Sequence, residues 1–266
     1  MFTLSDLVQP EKLETAYQVL TNKRNNTILG GCAFLKLGSK RISTAIDLSN
    51  LNLNYIKEQD GFIEIGAMTS LRELETHTLL REQFNGLLPK AVSSIIGVQF
   101  RNCVTVGASV FAKYGFSDVI TALLVLDTEV ELYKGGRMPL ADFLKQPKVK
   151  DILVRLWIKL DTRHATYLNL RKSASDYSIL NVAVSKLDNQ WTIVVGARPR
   201  RASIAIKASA ALSQGSLSDA EMEEAAKQAA EELSFGTNMR GTAEYRKALC
   251  KVLVKRAIME VASACK

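Results

Sequence analysis

The chain has few of the side chains that carry acid–base, nucleophilic or metal chemistry. It contains only two histidines, His77 and His164, and its four cysteines are far apart, without a Cys-x-x-Cys pair. Structural zinc sites and iron–sulfur clusters use ligands at closer spacing, so neither is predicted within this chain. No acidic cluster lies near either histidine, which argues against a Ser-His-Asp triad. We therefore predict no catalytic side chain and no metal site, so that a cofactor would carry any reaction.

Long hydrophobic runs are also missing. No run of 18 or more apolar residues occurs, so no membrane-spanning helix is predicted. The N-terminal segment MFTLSDLVQPEKLETAY has neither the basic region nor the continuous apolar region of a secretory signal. Disulfides between the four cysteines are unlikely in a reducing compartment. We expect a cytoplasmic chain with no membrane partner.

Positive charge, in contrast, is in excess. The chain carries 35 Lys and Arg against 27 Asp and Glu, a formal net charge of +8. The densest basic stretch, residues 244–260, has apolar residues at helical spacing, which predicts a solvated helix face or a face that docks on an acidic partner. No stacking aromatic pair, zinc finger or GXXG clamp accompanies it, so nucleic acid is not favoured as a partner.

The first part of the chain mixes helical and strand-like patterns. The periodicity predicts a helix through residues 13–20, and Asp60-Gly61 predicts the turn of a β-hairpin. A helix is expected to end at Gly97, and a strand is expected at Val104–Val106. Ser117 is expected to cap an apolar helix.

The pattern changes after Asp151. Four strand-like runs predict an antiparallel meander, and three helices follow, of which the second begins with a Ser218…Glu221 capping box. This order predicts an α+β fold with helices on one face of a sheet. The predicted domains are 1–162, with subdomains of about 1–55 and 56–162, and 163–266.

Two glycine turns raise a question of function. The pair Gly30-Gly31 alone favours a structural turn, because glycine is common in turns of every kind. The stretch 97–118, which contains a second glycine turn and a long loop that ends at Asp118, favours a cofactor loop instead. The first turn does not match G-x-G-x-x-G, which excludes a nicotinamide-binding Rossmann motif.

Five stretches, in order, resemble the flavin-binding medium subunit of the molybdenum hydroxylases, the family of xanthine dehydrogenase and aerobic carbon monoxide dehydrogenase. They are LGGCAFL (29–35), IEIGAMTSLRELE (63–75), GVQFRNCVTVGAS…SD (97–118), RKSASDYSILNVAV (171–184) and MRGTAEYRKALCKVLVKRA (239–257). The resemblance implies a two-subdomain FAD-binding domain of the PCMH type. It also implies a following antiparallel sheet with a helical layer, like the C-terminal domain of CO dehydrogenase flavoproteins.

The resemblance also implies which residues bind FAD. The two glycine turns would close from two sides on the pyrophosphate, Asp118 would bind an adenosine ribose hydroxyl, and Leu153 would flank the flavin ring. Ile95 and Gly97 would lie along the adenine, and Asn169 stands where the family has a lysine directed at the flavin. The implied cofactor-binding residues are Thr27, Ile28, Leu29, Gly30, Gly31, Cys32, Ala33, Phe34, Ile95, Gly97, Thr105, Gly107, Ala108, Ser109, Asp118, Leu153 and Asn169.

This chain departs from the family pattern in both turns. Cys32 and Ala33 replace a threonine and an aspartate, so that a hydroxyl and a carboxylate are lost. Ala108 replaces the second glycine of the second turn, and Ser109 replaces an asparagine. Each lost hydrogen bond is worth about 1 kcal/mol. We expect the backbone part of the phosphate site to persist while its side-chain part is thinned.

The implied function is electron transfer within an oxidoreductase complex. The partners would be a large subunit with the molybdenum cofactor and a small subunit with 2Fe-2S clusters, and electrons would pass through FAD to NAD or another acceptor. The alternative is a flavin-free scaffold or assembly subunit of the same kind of complex. The substrate, the acceptor and the stoichiometry are not encoded in this chain.

Overall fold

A computed structural model describes residues 2–265, and its backbone divides into two compact units that are each discontinuous in sequence. The first unit comprises the chain up to residue 73 with 98–112 and 128–160, and the second comprises 74–97, 113–127 and the chain from 161 on. The segments 74–97 and 113–127 lie before residue 162 but belong to the second unit. The division into units therefore does not test the predicted boundary near residue 162, which stays a prediction. Within the described chain, no helix has both the length and the apolar character needed to cross a membrane.

The elements follow in chain order. The strands are β1 (Thr3–Val8), β2 (Thr27–Ile28), β3 (Arg41–Ile46), β4 (Ile56–Gln59), β5 (Phe62–Gly66), β6 (Thr128–Leu132), β7 (Gly136–Pro139), β8 (Leu153–Lys159), β9 (His164–Arg171), β10 (Ser178–Leu187), β11 (Gln190–Gly196) and β12 (Ser203–Ile204). The helices are α1 (Leu13–Asn22), α2 (Leu71–Thr76), α3 (Thr78–Glu82), α4 (Leu87–Ser93), α5 (Val98–Cys103), α6 (Val106–Phe111), α7 (Asp118–Leu123), α8 (Leu140–Lys145), α9 (Ile206–Gln214), α10 (Asp219–Glu232) and α11 (Ala243–Ala264).

The first unit contains two sheets. A small parallel sheet has the order β1-β3-β2, and an antiparallel sheet has the order β4-β5-β8-β6-β7. Helix α1 buries Ala16 and Leu20 in a core that also holds Ile46 and Ile152, as the helical spacing predicts. The predicted hairpin is confirmed: β4 pairs with β5, and Asp60 and Gly61 adopt φ of 51° and 76°, as a type I′ turn requires.

The second unit is built on the sheet β12-β11-β10-β9, whose pairs are all antiparallel. Its core combines inward side chains of β10 and β11, such as Val184 and Ile193, with α9, α10 and α11. Alanines on α10, among them Ala226 and Ala229, are fully buried, so that the helix packs closely. The predicted α+β arrangement, with helices against a sheet, is therefore confirmed.

Three expectations about single elements were wrong. Val104–Val106 is not a strand, because Thr105 makes only an isolated bridge to Ser70 and then caps α6. Helix α4 ends at Ser93, before Gly97, and Ile96 takes the left-handed conformation instead. The first of the four runs after Asp151 is β8, which joins the five-stranded sheet of the first unit and leaves three runs in the second.

Glu221 gives α10 a testable pH dependence. Its carboxylate accepts hydrogen bonds from the backbone N–H and hydroxyl groups of both Ser216 and Ser218, and these bonds lower its pKa from 4.5 to about 2. A depressed pKa stabilises the fold above the unfolded value, and this stabilisation is lost as pH falls from about 4.5 towards 2. Denaturation of Glu221→Gln between pH 2 and 6 is expected to lose this pH-dependent component. Glu224→Gln, on the same helix, is the control; an identical pH profile for Glu221→Gln and the wild type would contradict the assignment.

Candidate functional site

The first glycine turn lies at the carboxyl end of β2 in the first unit. Leu29 continues the strand pairing by donating its N–H to the carbonyl of Ile46 at 2.9 Å. The chain then turns through left-handed conformations at two successive residues, Gly31 with φ of 83° and Cys32 with φ of 57°. Glycine adopts this conformation at little cost, which explains why position 31 is a glycine.

This turn packs directly on the second glycine turn. A Cβ built on Gly30 would lie 2.4 Å from the Cβ of Ala108, and one built on Gly31 would lie 2.2 Å from the carbonyl oxygen of Cys103. The distances leave no room for a side chain at either glycine. The structure thus brings together the segments 27–34 and 105–109, as expected from the sequence.

Four consecutive backbone N–H groups of the first turn are available to a ligand. Within residues 2–265, the N–H groups of Gly30, Gly31, Cys32 and Ala33 donate to no protein acceptor. All four residues are half-buried. Consecutive N–H groups around a left-handed turn form a concave site for an anion, and a phosphate is the usual occupant.

The second turn uses several of its N–H groups internally. Val106 donates to the carbonyl of Thr69 at 2.8 Å, and Gly107 donates to that of Ala67 at 2.9 Å. Ala108 donates to the side-chain hydroxyl of Thr105 at 3.2 Å. Ser109 donates both its N–H, at 3.1 Å, and its hydroxyl, at 2.9 Å, to the carbonyl of Thr105. The second turn therefore supports the first by packing, and the N–H groups of residues 106–109 are not available to a ligand.

Charges of both signs lie near the first turn. Burial raises the pKa of the Cys32 thiol, the nearby charge of Lys36 opposes that rise, and the charge of Asp47 adds to it. The thiol therefore stays neutral at pH 7 and adds no negative charge. Lys40 donates to the hydroxyl of Thr27 at 2.7 Å, which holds a second ammonium beside the turn.

These features fit the pyrophosphate of FAD. The cofactor's two phosphates need several donors close together and backbone that can approach without side chains, and the segment 30–33 offers both. The aspartate that the family pattern has at position 33 would have brought a carboxylate to this turn, where this chain has alanine. The fit rests on backbone donors and two lysines.

Asp118, which the resemblance implies as a ligand of the ribose, lies among buried polar side chains of the protein. It is 7% exposed in the second unit, and its Oδ1 accepts from Ser178 Oγ at 2.8 Å, from Asn181 Nδ2 at 2.9 Å and from the Tyr167 hydroxyl. Its Oδ2 accepts from Arg171 Nη2 at 2.8 Å, in an ion pair whose two side chains are each 8% exposed. The carboxylate thus holds α7 to β9 and β10, and four internal donors occupy most of its acceptor capacity.

Arg171 contacts both Asp118 and Asn169, another residue predicted to bind the cofactor. Its Nε donates to Asn169 Oδ1 at 3.0 Å, and its Nη1 donates to the carbonyl of Asp176 at 2.7 Å. Burial, and then the charge of Asp118, raise the pKa of Tyr167 well above its ordinary value, so the hydroxyl remains a donor. The five side chains of Asp118, Tyr167, Arg171, Ser178 and Asn181 form a buried polar network, which we call the Asp118 network.

The remaining predicted residues lie in separate surroundings. Leu153 is 5% exposed in β8, paired with Leu132. Ile95 and Gly97 are half-buried in the loop after α4, in the second unit. The cofactor roles of these three residues stay predictions. Within residues 2–265, no group of His, Cys, Asp and Glu side chains could hold a metal ion.

Sequence reasoning missed four members of the Asp118 network. Asn181 interrupts an otherwise apolar run in β10, and a polar residue in such a run signals a buried hydrogen bond. A second pattern could have indicated the network. Every second position in part of β9 carries a polar side chain, and these residues share one face of the sheet: Tyr167, Asn169 and Arg171.

Comparisons with known proteins agree with this geometry. Residues 2–158 match the family model "FAD binding domain in molybdopterin dehydrogenase", and residues 165–261 match "CO dehydrogenase flavoprotein C-terminal domain". The chain is 26% identical to the nicotine 6-hydroxylase medium subunit of Paenarthrobacter nicotinovorans, over 94% of this chain and 95% of that one. It is 25% identical to the glyceraldehyde dehydrogenase medium chain of Sulfolobus acidocaldarius, over 96% and 97% of the two chains.

The fold is also that of a solved structure. The chain superimposes on carbon monoxide dehydrogenase from Hydrogenophaga pseudoflava with a TM-score of 0.90 and 21% identity, over 98% of both chains. The match to the FAD-binding family model defines a flavoprotein with FAD as its cofactor. The chain belongs to the family of FAD-binding domains of molybdopterin dehydrogenases, and it is an oxidoreductase subunit of the medium-subunit type.

Proposed function

We propose that this chain carries FAD between the redox centres of two partner subunits and a final electron acceptor. The partners are a large subunit with a molybdenum cofactor and a small subunit with 2Fe-2S clusters, and NAD is one candidate acceptor. Bound FAD supplies the ability to accept and release electrons. The chain itself would bind and orient the cofactor.

The observation that carries the proposal is the set of free N–H groups at Gly30, Gly31, Cys32 and Ala33. They would donate to the pyrophosphate, while Lys36 and Lys40 would add positive charge beside it. Hydrogen bonds to a charged acceptor are worth about 1.5–3 kcal/mol each, so two or three of them account for useful affinity. The second turn would shape the site by packing against the first.

Asp118 would act through its network rather than by binding the ribose directly. Its four internal donors leave little capacity for a ligand, and they hold α7 against the sheet of the second unit. Leu153, Ile95, Gly97 and Asn169 are proposed as FAD neighbours on the resemblance alone.

The partners are proposed from the relatives, and the acceptor is proposed from the family resemblance alone. Nicotine 6-hydroxylase and glyceraldehyde dehydrogenase each have a medium subunit or chain to which this chain is similar over nearly its whole length. A cytoplasmic location is part of the proposal, since all four cysteines are free, as is typical of proteins in a reducing compartment.

The visible spectrum of the purified chain tests the proposal. We expect the bands of oxidised flavin to appear on addition of FAD and to survive gel filtration at one FAD per chain. If no flavin binds to the chain alone, the measurement is repeated with the two partner subunits. Absence of flavin in the assembled complex would contradict the proposal and favour the flavin-free scaffold.

A further inference from the structure

Two of the four cysteines lie on adjoining segments of the first unit. Cys32 follows Gly31 in the first glycine turn, and Cys103 is the last residue of α5. A Cβ built on Gly31 would lie 2.2 Å from the carbonyl oxygen of Cys103 and 2.7 Å from its carbonyl carbon. The residue next to Cys32 therefore packs on the backbone of Cys103.

This contact limits the distance between the Cα atoms of Cys32 and Cys103. The built Cβ of Gly31 lies 2.7 Å from the carbonyl carbon of Cys103. Adding two single bonds and the step of about 3.8 Å from Gly31 to Cys32 gives an upper limit of about 9.5 Å. A disulfide requires a Cα separation of about 4.4–6.8 Å, so the turn would have to move by about 3 Å at most.

The turn has the freedom to make this movement. Within residues 2–265, the N–H groups of Gly30, Gly31, Cys32 and Ala33 donate to no protein acceptor, so that displacing them breaks no hydrogen bond of their own. Both thiols are free, with Cys103 exposed to solvent and Cys32 half-buried. An external oxidant can therefore reach Cys103 first, and Cys32 lies on the neighbouring segment.

We propose that Cys32 and Cys103 form a reversible disulfide that switches off FAD binding at the first turn. Closure draws Cys32 towards α5 and redirects the free N–H groups away from the pyrophosphate. The inference rests on the proposed function, because it takes the FAD phosphates as the ligand of this turn. In a reducing compartment such a disulfide is transient, as is typical of redox-sensing cysteines.

The oxidant is a low-molecular-weight disulfide, such as glutathione disulfide. The thiolate of Cys103 attacks one of its sulfurs, the external S–S bond breaks, and one thiolate leaves. The thiolate of Cys32 then attacks the sulfur of Cys103 and displaces the second thiolate. In total the two protein thiols lose two electrons and two protons, and the external disulfide is reduced to two thiols. Burial raises the pKa of the Cys32 thiol, so the second step is the slower one.

The test uses the full chain, reduced and then equilibrated with glutathione and glutathione disulfide, blocked with N-ethylmaleimide and digested without reductant. Mass spectrometry is expected to show a peptide pair that joins Cys32 to Cys103. Oxidation is expected to raise the dissociation constant of FAD at least tenfold, and dithiothreitol should restore it. By linkage, saturating FAD should shift the equilibrium towards the two thiols by the same factor.

Two variants separate this disulfide from other oxidation. In Cys103→Ser, FAD affinity is expected to be insensitive to the oxidant. Cys265→Ser is the matched control, since it removes another exposed thiol, after the end of α11, and should respond like the wild type. An unchanged far-UV circular dichroism spectrum on oxidation would show that the lost affinity does not come from unfolding.

The outcomes distinguish this inference from the proposed function. Oxidation that gives only mixed disulfides with glutathione, or a Cys32–Cys103 disulfide that leaves FAD affinity unchanged, would overturn the inference alone. If the reduced chain binds no FAD, either by itself or assembled with its partner subunits, the proposed function fails and the switch fails with it.

Discussion

Replacement of Gly31 by alanine is expected to raise the dissociation constant of FAD about 100-fold. The new Cβ would lie 2.2 Å from the carbonyl oxygen of Cys103, so the turn must move away. Alanine also disfavours the φ of 83° at this position, at a cost of about 1–2 kcal/mol. Both effects displace the N–H groups of residues 30–33, and the loss of one to two charge-assisted hydrogen bonds, about 2.7 kcal/mol, corresponds to the stated factor. Quenching of flavin fluorescence on binding measures the constant.

Gly38→Ala is the matched control for this substitution. It changes another glycine of the same loop, where the nearest atom to a built Cβ is the carbonyl oxygen of Leu35 at 3.8 Å. FAD binding by this variant should stay within a factor of about three of the wild type, a difference below 1 kcal/mol. Equal affinities of Gly31→Ala and the wild type would rule out the first turn as the phosphate site.

Replacement of Asp118 by alanine is expected to destabilise the protein by about 3–5 kcal/mol. The change leaves the buried guanidinium of Arg171 without its anionic partner, and it removes the shared acceptor of Tyr167, Ser178 and Asn181. Buried groups left unpaired carry most of this cost. Urea denaturation, with the free energy of unfolding taken from the midpoint and slope, measures it.

Two further variants establish what the network does. Asp142→Ala removes the carboxylate of an exposed pair with Lys145 and is expected to cost less than about 1 kcal/mol. The double variant Asp118→Leu with Arg171→Met should recover part of the loss, because neither charge is then left unpaired. If Asp118→Ala were as stable as the wild type but bound FAD far more weakly, Asp118 would be a ligand of the ribose and the network account would be wrong.

The sequence correctly predicted a β-turn and two helix caps, since each depends only on residues close together in the chain. The Asp60-Gly61 turn and the caps at Ser117 and Ser218 lie where the sequence placed them, because each depends on a few neighbouring residues. The two glycine turns were also brought together as expected. Their contact follows from a resemblance over many residues, since a Gly-Gly pair alone does not specify its partner.

The errors arose where distant parts of the chain decide the structure. Val104–Val106 has the β-branched residues of a strand, but Thr105 caps α6, and the N–H of Val106 bonds to Thr69. The run that became β8 resembles the three runs after it, and its pairing with β5 and β6 separates it from their sheet. Strand β1 was missed because its side chains are mostly exposed, which leaves no hydrophobic alternation to detect.

Distant parts of the chain also decide the hydrogen bonds of the candidate site. Whether an N–H group is free depends on the carbonyl groups around it, and the bonds from Val106 and Gly107 to Thr69 and Ala67 are not visible in the sequence. Asp118 at a helix start was identified as a functional carboxylate, but its partners come from strands about fifty to sixty residues later in the chain.

The central claim is that the N–H groups of residues 30–33 bind the phosphates of FAD. Amide chemical shifts of the ¹⁵N-labelled chain, recorded during a titration with FAD, test this claim most directly. We expect the amide signals of Gly30, Gly31, Cys32 and Ala33 to shift strongly and to saturate at one FAD per chain, while those of Val106 and Gly107 shift less. Saturating FAD that leaves the signals of residues 30–33 unchanged would contradict the claim.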